Sequence, residues 1–76
     1  MKEIYPGDEI PWDCLADWVQ WVARDADKHW RAFEVEPKLS PPLWSCRSRY
    51  KQDSLDAVKM PAGPDDWRQA IARRPN

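Results

Sequence analysis

The sequence predicts a small α+β domain, a three- or four-stranded antiparallel sheet with one C-terminal helix packed on one face. Three observations carry that prediction. "WRAFEVEP" at 30–37 alternates, with Phe33 and Val35 pointing one way and Glu34 and Glu36 the other, the pattern of a strand with one wet face. "RDADKHW" sets turn-forming aspartates between two β-prone runs, which reads as a hairpin. "PDDWRQAIARR" carries a proline and acids at its start and arginines at its end, the polarity a helix dipole favours.

The elements follow in order along a single domain spanning 1–76. Pro6 and Gly7 form a turn within an N-terminal turn or arm at 1–10. The sheet region is expected over 12–60. Its first part fits two periods: Leu15, Trp18, Val19 and Val22 share a helical face, whereas Val19, Trp21 and Ala23 alternate with Trp18, Gln20, Val22 and Arg24 as a strand would. The hairpin downstream favours a short helical turn near Trp12 to Ala16 running into a strand from Trp18 to Arg24. Pro37 closes the second strand, because proline donates nothing to a ladder.

After the "KLSPP" loop, "LWSCRSRYK" offers a third strand with Trp44, Cys46, Ser48 and Tyr50 on one face and Arg47, Arg49 and Lys51 on the other. "LDAVKM" at 55–60 is a weaker fourth candidate, and periodicity leaves 51–58 open between strand and loop. The helix is expected over 64–74, with Trp67, Ala70 and Ile71 at i, i+3 and i+4 as its buried stripe.

At 76 residues the chain has room for one thin core, since domains near this size bury only about 60% of the surface their unfolded chains expose. Six tryptophans, two tyrosines and a phenylalanine supply the reinforcement that disulfides or metals give other small domains. Cys14 and Cys46 are too few for a disulfide scaffold, and "MKEIYPGDEIPWD" lacks an apolar signal region, so a reduced, cytoplasmic setting is expected. No apolar run approaches the roughly 20 residues of a membrane span. The 12 basic and 13 acidic residues nearly cancel, to a formal charge of -1, which argues against general nucleic-acid coating. The second half is locally basic.

The order of "WVARDAD", "WRAFEVEP" and the ending "DDWRQAIARRP" resembles a loosely defined group of short tryptophan-rich proteins of tailed phages and prophages. In that group a segment like "WVAxDADGxWWAFExxP" precedes a terminal tryptophan and an "LxRRP"-like tail. The likeness covers 11–37 and 64–75. The chain departs from the pattern at Lys28, where glycine is usual, and at Arg31, where a second tryptophan follows the first. The resemblance implies a phage-encoded accessory protein acting in the cytoplasm of a bacterial host, and by analogy an antagonist of host defence. It implies no shared catalytic residues.

The chemistry available points to binding. One histidine and two distant cysteines give no metal-ligand spacing, and no cofactor motif is present. His29, the only imidazole, lies in a turn, where a solvated role is expected over that of a catalytic base. Asp25 with Asp27, and Glu34 with Glu36, form pairs, but alternation places them on wet faces rather than in sites that raise a pKa. The stripe Arg47, Arg49 and Lys51 admits two readings: cross-strand ion pairs with Glu34 and Glu36, or a fork for phosphate or carboxylate.

Trp21, Phe33, Trp44 and Trp67 fall on core faces. Trp18 and Trp30 fall on the opposite face near Arg24, which a single helix leaves uncovered unless a partner subunit covers it. The expected site is therefore Trp18, Trp30, Arg24, Arg47 and Arg49, residue types that dominate binding hot spots and stack on bases. The function expected is a non-enzymatic module that inhibits or sequesters a host protein. The alternatives are a homo-oligomer enclosing a small anionic ligand such as a signalling nucleotide, and a virion assembly accessory.

Overall fold

The computed structural model describes residues 9–56 and 58–75. Among them, six short strands form two antiparallel sheets, with one 3₁₀ turn before the first strand and another before the last. The strands are β1 (Trp21–Arg24), β2 (Trp30–Phe33), β3 (Lys38–Ser40), β4 (Leu43–Ser45), β5 (Gln52–Ser54) and β6 (Ile71–Arg73). The main sheet runs β5-β2-β1-β6, and β3 and β4 form a separate hairpin. The N-terminal turn expected at Pro6 and Gly7 lies outside the described residues.

The β1–β2 hairpin and its aspartate turn form as read from the sequence, but Glu34, Val35 and Glu36, which carried the alternation, lie beyond the strand. Trp21 pairs with Phe33 and Arg24 with Trp30. Asp25 accepts the Lys28 N–H at 2.9 Å, and Asp27 Oδ1 accepts the His29 N–H at 3.0 Å. Lys28 closes the turn at φ 72, a left-handed conformation that costs a residue with a Cβ. The strands are shorter than expected: β1 begins at Trp21 rather than Trp18, and β2 stops at Phe33, where the chain bends before Val35. Ahead of β1, the helical turn is a 3₁₀ turn at Trp12–Cys14.

The expected C-terminal helix is absent. Trp67–Gln69 make one 3₁₀ turn, capped by Asp66 Oδ1 accepting the Arg68 N–H at 3.0 Å, and Ile71–Arg73 then extend as β6 along β1. The spacing of Trp67, Ala70 and Ile71 fits a helix, but a segment this short nucleates poorly in isolation, and β1 offers an open edge to pair with. Ladder bonds outside the strand itself, from Arg24 N–H to Ala70 O and from Arg74 N–H to Gln20 O, both 2.8 Å, secure it. The fold is therefore β rather than α+β.

Two other strands differ. "LWSCRSRYK" is a strand only over Leu43–Ser45; Tyr50 N–H then bonds Arg47 O at 3.0 Å and turns the chain. The last strand before the C-terminal segment is Gln52–Ser54, upstream of "LDAVKM", which instead turns through a Val58 N–H to Leu55 O bond at 3.0 Å.

Both faces of the main sheet are covered. On one, Ala23 and Phe33 pack under Trp44 of the hairpin, with Trp21, Cys46, Trp67 and Ile71 around them. On the other, Val22, Trp30, Ala32 and Ala72 pack against Ile10, Leu15, Val19 and Leu55, with Trp12, Trp18, Val58 and Met60 partly buried beside them. Two irregular segments, near 10–19 and 55–63, therefore roof the face expected to be bare. Burying each large side chain there contributes roughly 1.5–3 kcal/mol. The second face is covered within one chain, so no partner subunit is needed to shield it.

Candidate basic groove

Structural placement separates the five residues expected to form one surface. Trp30 is 6% exposed, and its Nε1–H donates to Pro61 O at 2.9 Å. Arg24, 9% exposed, donates through its guanidinium to the carbonyls of Ala62, Pro64 and Asp65. Between them passes Gly63 at φ 74, where a Cβ would stand 3.0 Å from Trp30 Cζ2. These two side chains hold down the 61–65 loop and are not displayed. Trp18 is half-buried against the same core. Alternation assigned Trp30 to the right face, but that face has a roof of loop, which carries no periodic signal.

Arg47 and Arg49 are exposed and remain together. They line an open groove of about 670 Å³ with Val35, Glu36, Lys38, Ser45, Cys46 and Tyr50, within the roughly 300–1,000 Å³ typical of ligand clefts. The turn at 47–50 brings both arginines to the groove, and the hairpin register, which pairs Lys38 with Ser45, brings Lys38 to it. Arg49 lies over the Tyr50 ring at 4.9 Å and donates from Nη2 to Tyr50 Oη at 3.0 Å. Lys38 and Tyr50 were not among the expected site residues. Lys38 joins the site only through the hairpin pairing.

The cross-strand pairing of the basic stripe with Glu34 and Glu36 does not form as expected. Glu34 meets Lys51 through the backbone: its N–H donates to Lys51 O at 2.9 Å and its Oε1 accepts the Lys51 N–H at 3.2 Å. Among the described residues the ion pairs are His29 with Asp56, Arg31 with Asp25 and Arg68 with Asp66. None involves Lys38, Arg47 or Arg49. Burial pushes the Cys46 thiol above its ordinary range, with Arg31 pulling the other way. A thiol so held stays protonated and is a weak nucleophile at neutral pH.

Behind the groove, the hairpin is anchored by an ionic contact. Asp25 Oδ1 accepts the Trp44 N–H at 2.8 Å, and Arg31 Nη1 donates to Trp44 O at 3.2 Å. Arg31 Nη1 also lies 3.8 Å from Asp25 Oδ2, and its Nη2 donates to Gln52 Oε1 at 2.6 Å. Contrary to the wet face expected for it, Asp25 is buried. Desolvation raises its pKa, opposed by the Trp44 N–H and Arg31, with Asp27 adding to the rise and His29 opposing it. His29 itself stands at the surface, its Nδ1 3.1 Å from Asp56 Oδ1.

No family model, curated protein or solved structure matches the chain. No helix of the described residues is long and apolar enough to cross a membrane, and no group of three or more His, Cys, Asp or Glu among them could hold a metal ion.

Proposed function

We propose that the protein is a non-enzymatic binding module that inhibits or sequesters an anionic partner through the basic groove around Arg47 and Arg49. One observation carries this reading: Lys38, Arg47 and Arg49 share the groove with a single carboxylate, Glu36, and none of the three is ion-paired among the described residues. Like charges held together repel, and an external anion relieves that repulsion while gaining charge-assisted hydrogen bonds from the guanidinium forks.

Arginine chemistry replaces the mixed tryptophan and arginine surface, because Trp30 and Arg24 are committed to the 61–65 loop. The resemblance to phage accessory proteins supports a setting in an infected bacterium, with a host component as the partner and defence antagonism as the outcome.

Thermal denaturation with polyglutamate tests the reading. Ligand binding to the native state raises the midpoint, and the rise is expected to shrink as salt increases. An Arg47→Ser, Arg49→Ser double variant is expected to lose it. No rise, or an equal rise in the double variant, overturns the proposal.

A further inference from the structure

We infer that the partner docks as an extended peptide segment, alternating acidic and apolar residues, that adds to the open edge of β3. The inference rests on the reading of the basic groove and specifies the ligand.

The edge is identified by hydrogen bonding. In an antiparallel pair, directly opposed residues either exchange both backbone bonds or neither. Leu39 opposes Trp44, and the Trp44 N–H and C=O are held by Asp25 and Arg31. Leu39 therefore points its own N–H and C=O away from β4. Among the described residues β3 has no other ladder neighbour, and all three of its residues are exposed. An added strand bonds such an edge.

Side-chain alternation then sets the partner's chemistry. Lys38 and Ser40 share one face, and Lys38 opens directly onto the groove that holds Arg47 and Arg49. Leu39 projects to the other face at 43% exposure, the larger of the two exposed values among the large hydrophobic side chains of the described residues, the other being Leu43 of the same hairpin. A segment paired beside β3 places alternate side chains about 7 Å apart on each face. Acids on the first face meet Lys38 and the arginines, and apolar residues on the second cover Leu39. A nucleotide fits less well. Arg49 already lies over the Tyr50 ring and bonds its hydroxyl, and a nucleotide leaves Leu39 uncovered.

The test is fluorescence anisotropy with a labelled peptide alternating glutamate and valine, the same peptide N-methylated at alternate amides, polyglutamate, and adenosine monophosphate as competitor. Saturable binding is expected, at least tenfold weaker for the N-methylated peptide. Leu39→Pro removes the outward N–H together with the leucine side chain and is expected to weaken the alternating peptide at least tenfold while polyglutamate binding holds; Leu39→Ser, which removes the side chain but leaves the N–H in place, is expected to weaken it less. Equal binding of the methylated and unmethylated peptides, unchanged affinity in a folded Leu39→Pro protein, or tighter binding of the nucleotide overturns the β3 inference and leaves the basic-groove reading standing. Absence of binding by every anion overturns both.

Discussion

Asp25 accepts the main-chain N–H of Trp44 at 2.8 Å, and this bond ties the β3–β4 hairpin to the sheet on which Trp44 packs. The groove exists because the hairpin is held there. Asp25→Ala leaves the Trp44 N–H and the Arg31 guanidinium short of a partner. The expected cost is about 1–3 kcal/mol, measured by urea denaturation. An unchanged midpoint would show that the hairpin is anchored by packing alone.

The same carboxylate gives the protein a pH dependence of definite sign. Its folded pKa lies above the ordinary carboxylate value of 3.8 because burial disfavours the charged form. Between 3.8 and the raised value the folded state binds more protons than the unfolded state, so this group's contribution falls as pH rises through that window and recovers on acidification. The check is a comparison of two proteins. Asp25→Asn, which keeps an acceptor for Trp44, is expected to lose this downward component of the stability profile. Parallel profiles for the two proteins would assign the slope elsewhere.

Two positive-φ positions call for opposite substitutions. Lys28 at φ 72 pays the cost of a Cβ in a left-handed turn, so Lys28→Gly is expected to stabilise by about 0.5–1 kcal/mol. At Gly63, φ 74, a methyl group would sit 3.0 Å from Trp30 Cζ2, and Gly63→Ala is expected to destabilise by about 1–2 kcal/mol. Thermal melts of both variants check the pair; shifts of the same sign would contradict the turn geometry.

Trp30→Ala is expected to cost about 3–5 kcal/mol, because the indole is buried and holds Pro61 O. A variant as stable as the parent would return Trp30 to the surface, where alternation alone had placed it.

What was legible depended on how regular each segment is. The β1–β2 hairpin was readable because the aspartate turn has a known turn chemistry and lies between two β-prone runs. The C-terminal segment was not, since Trp67, Ala70 and Ile71 satisfy helical spacing while Ala70 and Ala72 also satisfy strand alternation; the open edge of β1 decided between them. The segments that roof the second face have no periodicity. Arg47 and Arg49 were visible as neighbours in sequence, whereas Lys38 reaches them only through the hairpin pairing of Lys38 with Ser45.

The central claim, that Lys38, Arg47 and Arg49 form one anion-binding groove, is tested most directly by following backbone amide resonances during titration with polyglutamate. Shifts concentrated at 38, 45–47, 49 and 50, and absent in the Arg47→Ser, Arg49→Ser protein, are predicted. Shifts centred instead on residues 12–18 or 61–65, or no shifts at all, would contradict it.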